Sequence, residues 1–232
     1  MSGELQDLVL SQAEARAIDS AIIRQLGLPG LLLMENAAHA VTEYLTRHAS
    51  GNVVIVCGPG NNGGDGLAVA RQRSALGLST QIILERAGKE LSSDAQHNYD
   101  FLTRSGGNVE LSDAISDIDT MLNSLTREDW VVDSLLGTGI KGSLRAPYDR
   151  WVNAMNASLA QVLAIDVPSG LNCDNGTCGD TCVRANVTVT FVGMKQGFLS
   201  PDTQHWTGEV LVAPIGVPLD WVENWLNDYR TG

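Results

Sequence analysis

Nowhere in the 232 residues is there an apolar run near the roughly 20 needed to cross a bilayer; Leu31 to Met34 and Val53 to Cys57 are among the longest. No membrane span is expected. The first residues, Met1 to Glu4, lack the basic start and apolar core of a secretory leader, and no lipidation motif is evident, so a cytoplasmic address is expected. Positive charge is scarce as well. Fifteen Lys plus Arg against 27 Asp plus Glu leave a formal charge of −12, a field that repels phosphate backbones and anionic lipid. Neither nucleic acid nor a membrane surface is an expected partner. Four cysteines (Cys57, Cys173, Cys178 and Cys182) are too few for a disulfide scaffold, and their spacing lacks the paired CxxC knuckles of structural zinc. They read as reduced thiols.

Several catalytic signatures are missing too. His39, His48, His97 and His205 show no HxxxH or HxH spacing, which argues against a histidine-built zinc site. There is no G-x-S-x-G nucleophile elbow and no GK[ST] after a glycine loop, which sets aside α/β-hydrolase and P-loop chemistry.

What is present is glycine, 24 residues or about a tenth of the chain, above the usual roughly 7% and clustered. Ser11 to Glu14 form a Ser-x-x-Glu capping box, so a helix is expected from about residue 12; a second helical pattern runs from Leu33 to Leu45. Val53 to Cys57 is then a β-branched run of the kind buried on both faces of a parallel sheet. Strand-like segments follow at Thr80 to Leu84, Val109 to Leu111, Trp130 to Asp133, Val162 to Asp166, Val187 to Phe191 and Val210 to Val212, the earlier ones separated by helical stretches at 67–76, 93–105, 115–125 and around Trp151 to Met155. This alternation predicts one α/β domain over residues 1–232, with a helical extension at about 10–50 and a doubly wound core at about 51–218.

In such sheets ligands collect beyond the carboxyl ends of the strands, and three unusual segments sit there. Gly58 to Gly66 (GPGNNGGDG) contains a formal G-x-G-x-x-G, and adds side-chain oxygens from Asn61, Asn62 and Asp65 that could hold ribose hydroxyls or a hard cation. A tight turn is the plain alternative. Asp133 to Ser143 (DSLLGTGIKGS) offers exposed amides and Lys141 to an anion, or else is a surface loop with a solvated lysine. Arg145 reads as a surface charge. Asp166 to Gly170 (DVPSG) places a carboxylate at the tip of a buried strand, where it must pair, cap or react. Lys195 follows another strand and either faces the same crevice or sits in an exposed turn.

Taken in order, Leu33 to Ala38 (LMENAA), the Asn-Asn-Gly-Gly-Asp-Gly core, Asp133 to Gly139, Asp166 to Leu171, Lys195 to Phe198, Thr207 and Gly208, and Ile215 to Pro218 resemble the YjeF N-terminal domain family, the NAD(P)H-hydrate epimerases. The resemblance runs from about residue 10 to about residue 218 and is to the stand-alone form, without the dehydratase domain of bifunctional relatives. It implies a three-layer αβα Rossmann-like sandwich with a mostly parallel sheet, often dimeric. The implied activity is interconversion of the R and S epimers of hydrated NADH and NADPH (NADHX and NADPHX), so that a separate dehydratase can restore the cofactor. It implies a bound potassium ion held by Asn62, Asp133 and Ser169. Carried over by position, Asn61, Asn62, Gly63, Gly64 and Asp65, with Gly137, Thr138, Gly139, Ile140, Lys141, Gly142 and Ser143, would contact the hydrated dinucleotide, and Asp166 its reacting end. Ala38, where a glycine is common, and the cysteine-rich 173–182 stretch depart from the pattern.

The implied substrate carries a hydroxyl on the ring carbon beside nitrogen. Epimerisation requires that hydroxyl to leave and water to return on the opposite face, work suited to a carboxylic group. Asp166 is the expected catalytic group, with Lys195 orienting it or the carboxamide; opening of the ring to an aldehyde is a second route. Two other readings stand beside this one. An NAD-dependent dehydrogenase is suggested by G-x-G-x-x-G and by Glu85 at the end of the next strand. A non-catalytic nucleotide-binding scaffold of the same fold is the other.

Overall fold

The computed structural model describes residues 2–85, 90–111, 118–139 and 142–232. In chain order the elements are α1 (Ser2–Asp7), β1 (Val9–Leu10), α2 (Gln12–Ala21), α3 (Gly30–His48), β2 (Val53–Cys57), α4 (Asn61–Ala75), β3 (Gln81–Leu84), α5 (Ser93–Arg104) and β4 (Val109–Leu111). Then follow α6 (Ile118–Asn123), β5 (Trp130–Ser134), α7 (Tyr148–Ala157), β6 (Gln161–Ile165), β7 (Val187–Phe191), β8 (Met194–Lys195), α8 (Gln204–Thr207), β9 (Glu209–Ala213) and α9 (Leu219–Thr231). The expected start of α6 near Ile115 lies outside the described residues.

The main sheet has the order β4-β3-β2-β5-β6-β7-β9, and every described pairing in it is parallel. From β2 the chain builds outward through β3 and β4, then returns to β5 and builds the other way. The switch point therefore lies between β2 and β5, where a crevice is expected at the carboxyl ends. Alternate strand residues face opposite layers. Val53, Ile55 and Cys57 pack with α3, α4 and α5, whereas Val54, Val56 and Val131 pack with α6 and α7. That two-sided burial is why β2 reads as an unbroken apolar run.

The capping box forms as expected: Glu14 N–H donates to Ser11 Oγ at 3.3 Å, and Ser11 N–H donates back to Glu14 Oε2 at 2.7 Å. Glu14 Oε1 also pairs with Arg230 Nε at 2.6 Å, tying α9 to α2. α9 and the small parallel pair β1-β8 are absent from the sequence reading. The signal for α9 was there, since Val222 and Leu226 recur four apart after Pro218 and bury against Ile18, Ile22 and Leu33.

One assignment changes character. The expected glycine loop ends at Gly60, and Asn61 to Gly66 are the first turns of α4. Glycine disfavours a helix by about 1 kcal/mol per residue in isolation, but here packing decides. A Cβ on Gly63 would lie 1.8 Å from Gly58 O, one on Gly64 2.5 Å from Met34 Cε, and one on Gly66 2.3 Å from Ser134 Oγ. These glycines let α4 settle onto the sheet.

Candidate active site

A cavity of about 770 Å³ opens over the carboxyl ends of the central strands. Its walls include Asn61, Asn62 and Asp65 of α4, Leu135 to Gly139 after β5, Asp166 after β6, and Phe191, Val192 and Lys195 beyond β7. Arg16, Asp19 and Met34 close it from the N-terminal helices, and Asp94 from α5.

β6 and β7 end in matching strained turns. Asp166 has φ 64 and Val167 N–H donates to Ile165 O at 2.8 Å; Val192 has φ 68 and Gly193 N–H donates to Phe191 O at 2.7 Å. These are γ-turns of the rare positive-φ kind, costing on the order of 1–3 kcal/mol each. Asp166 N–H donating to Val189 O (2.8 Å) and Val192 N–H donating to Ala213 O (3.1 Å) help hold them. In this arrangement Lys195 Nζ lies 2.9 Å from Asp166 Oδ1, and Thr190 Oγ1 donates to the same oxygen at 3.0 Å. Lys195 also donates to Phe191 O at 3.1 Å. Its side chain is 3% exposed, so this is no surface turn lysine.

The other carboxyls of the cavity sit in a field of their own sign. Burial pushes Asp65 well above the ordinary carboxylate range, and the charges of Asp166, Asp19 and Asp94 act in the same direction. Asp19 keeps an exposed surface, yet loss of part of its solvent shell pushes it up to about 6, with Asp166 acting in the same direction and the Lys195 ammonium pulling the other way. Environments that push the carboxyls of one cavity up to different extents are what acid and base assignments require.

Beneath the floor, Asp133 and Ser169 are wholly buried. Ser169 Oγ donates to Asp133 Oδ1 at 2.6 Å, and Ser169 N–H donates to Oδ2 at 2.7 Å. Burial nevertheless pushes Asp133 up to about 6, against these bonds and one from Leu135 N–H. No basic side chain among the described residues pairs with it. Asn62 Nδ2 donates to Leu136 O at 3.0 Å, and Leu136 N–H donates to Ser169 Oγ at 3.0 Å. Asn62 Oδ1 is buried without a hydrogen-bond partner. The Asp133 carboxylate, Ser169 Oγ, Leu136 O and the orphaned Asn62 Oδ1 are oxygen donors of the kind a hard cation takes.

Of the expected contact residues, Asn61, Asn62, Asp65, Gly137, Thr138, Gly139, Asp166 and Lys195 line one cavity. Gly63 and Gly64 do not line it; they are buried inside α4. Gly142 and Ser143 are also off the wall, at an exposed bend against Gly179. Ile140 and Lys141 lie outside the described residues. Glu85, the ribose candidate of the dehydrogenase reading, is 3% exposed and not part of the wall. The sequence reading missed Arg16 and Asp19, whose signal was their three-residue spacing on one face of a capped helix.

The LMENAA segment lines the cavity with Leu33, Met34 and Ala37 and also ties the helices together. Met34 packs on Gly64, Glu35 pairs with Arg71 and accepts from Gln72 Nε2 at 2.8 Å, and Asn36 Nδ2 donates to Ile215 O at 2.8 Å. It joins α3, α4 and the segment after β9.

A family model described as YjeF-related protein N-terminus matches residues 30–197, well over half of the sequence. The chain belongs to this family. YjeF N-terminal relatives named NAD(P)H-hydrate epimerase include one from Rhodopirellula baltica, 41% identical and aligned over 88% of this chain and 83% of its own length. Another, from Pirellula staleyi, is 36% identical over 90% of this chain and 93% of the relative. A longer relative from Pyrobaculum aerophilum, named as a bifunctional NAD(P)H-hydrate repair enzyme, is 42% identical, and the alignment spans 39% of it. The crystal structure of the yeast protein ynu0 shares the fold, with a TM-score of 0.71 at 24% identity over 82% of this chain and 83% of that one.

Proposed function

We propose that the chain is an NAD(P)H-hydrate epimerase, interconverting the R and S forms of hydrated NADH and NADPH. The observation that carries the reading is the half-buried Asp166 carboxylate paired with buried Lys195 at the wall of the 770 Å³ cavity, in a chain related over most of its length to proteins of that name. A proton reaches the ring hydroxyl, the carbon–oxygen bond breaks, and water departs, leaving an iminium cation supported by the ring nitrogen. Water then adds to the opposite face and gives up a proton. No electrons are transferred. Asp166, paired with Lys195 as a carboxylate, stabilises the cation and accepts the proton of the incoming water. Asp65, which lines the same cavity and whose hold on its proton is strengthened by burial and by the neighbouring carboxylates, supplies the first proton.

This division has a pH signature. An acid whose folded pKa is raised works below that value and fails as the pH climbs through it. The rate is therefore expected to persist above the range of an ordinary carboxylic acid and then fall, and Asp65→Asn is expected to lose most of the rate and that descending limb. An unchanged pH profile in the variant would remove Asp65 from the role.

Asn62 Oδ1, Leu136 O, the Asp133 carboxylate and Ser169 Oγ would hold a potassium ion, whose charge would fix the β5 loop against α4. Exchanging potassium for choline at equal ionic strength is expected to lower the wild-type Tm by a few degrees, and to leave that of Asp133→Asn unmoved. Equal shifts in both proteins would argue against this position.

A separate dehydratase as metabolic partner, a cytoplasmic address and a homodimer belong to the same proposal. The test is to incubate the protein with pure S or R hydrate and separate both epimers by chromatography. Mixing of the epimers faster than in the enzyme-free control supports the reading, and oxidation of NADH with a carbonyl substrate instead would favour the dehydrogenase.

A further inference from the structure

The cavity is lined by five acidic side chains, Asp19, Asp65, Glu90, Asp94 and Asp166. Among the described residues only Arg16 and Lys195 line it as cations, and Lys195 is neutralised by Asp166. A dinucleotide must bring a doubly anionic diphosphate into this field, which is unfavourable unless a cation meets it. Arg16 is placed to do so. It projects from α2 one turn before Asp19, is exposed, and makes no ion pair or side-chain hydrogen bond with the described residues. Its Nη2 lies 3.1 Å from the point a Cβ on Gly139 would occupy, so the guanidinium hangs over the Gly137–Gly139 backbone that lines the same cavity. A larger residue at position 139 would press on it.

We propose that Arg16 binds the diphosphate of the hydrated dinucleotide, clamping it against the Gly137–Gly139 loop. The inference rests on the epimerase reading. A planar guanidinium can grip two phosphate oxygens at once, and the side-chain-free glycines leave room for them. α2, which lies outside the main sheet, thereby forms one wall of the substrate site, and the clamp sits away from the reacting ring.

The test compares wild type, Arg16→Ala and Arg16→Lys, with KM and kcat for both hydrates and the calorimetric affinity for ADP. Arg16→Ala is expected to raise KM by about 10- to 100-fold for both hydrates with little change in kcat, and to weaken ADP by a similar factor. Arg16→Lys should fall between, and the salt dependence of KM should flatten in Arg16→Ala. Unchanged KM and ADP affinity would overturn the clamp. So would an effect confined to the NADPH hydrate, which would place the ribose 2′-phosphate there instead. Wild-type protein that binds ADP through Arg16 but mixes neither epimer would uphold the clamp and overturn the epimerase reading.

Discussion

Asp166→Asn is expected to keep the fold and nucleotide binding while lowering epimerisation by about 100- to 10,000-fold, the range lost with a positioned acid or base. The substitution is conformationally clean, because Asn tolerates the φ of 64 at this position as readily as Asp does. It keeps an oxygen for Thr190 Oγ1 and Lys195 Nζ but removes the charge. Stability is expected to fall by about 1–3 kcal/mol, since a buried ammonium loses its counter-ion. Adding Lys195→Met removes that uncompensated charge, so the double variant should regain stability without regaining turnover. Recovery of the rate along with the Tm would mean that Asp166 acts only through the fold. Turnover within a few-fold of wild type in the single variant would exclude it from the chemistry.

The second large effect is structural. Gly63→Ala places a methyl 1.8 Å from the carbonyl oxygen of Gly58, whose own Cβ would lie 1.9 Å from Leu135 O. Both obstacles are backbone, so no side chain can rotate away. The first turn of α4, the end of β2 and the end of β5 would have to separate, and these carry Asn62, Gly58 and Leu136. A loss of about 3 kcal/mol or more is expected, roughly 6–12 °C in Tm for a chain of this size. Gly60→Ala is the control, with nothing within 4 Å of its Cβ and an ordinary φ of −86, and it should leave the Tm within a degree or two. If Gly63→Ala melts with Gly60→Ala, the close contact does not govern the position of α4.

The layered architecture was legible because the buried strands β2, β5 and β6 are short apolar runs with helical patterns between them, and the order of the glycine and aspartate segments located the switch point. The helical state of Asn61 to Gly66 was hidden, because their glycines are set by contacts with Met34, Ser134 and Gly58, residues distant or loop-borne. The turns at Asp166 and Val192 were hidden for the opposite reason: β-branched Val192 gives no sign of a positive φ and Asp166 reads equally well as a cap, while cross-strand bonds to Val189 and Ala213 hold the strain. Periodicity carries no trace of that. Asp166 and Lys195 could be named from strand-end position and family resemblance, yet their 2.9 Å contact depends on how the turn at Val192 and the pairing of β8 with β1 place Lys195. Arg16 and Asp19 went unread because a polar helix face looks the same whether it meets solvent or a cavity.

The most direct measurement follows one pure epimer through turnover in water enriched with heavy oxygen. Loss and return of the hydroxyl at Asp166 requires the opposite epimer to form ahead of the enzyme-free control, with every newly formed molecule carrying the solvent label. Product that inverts while keeping its original oxygen, or no inversion at all, would contradict it.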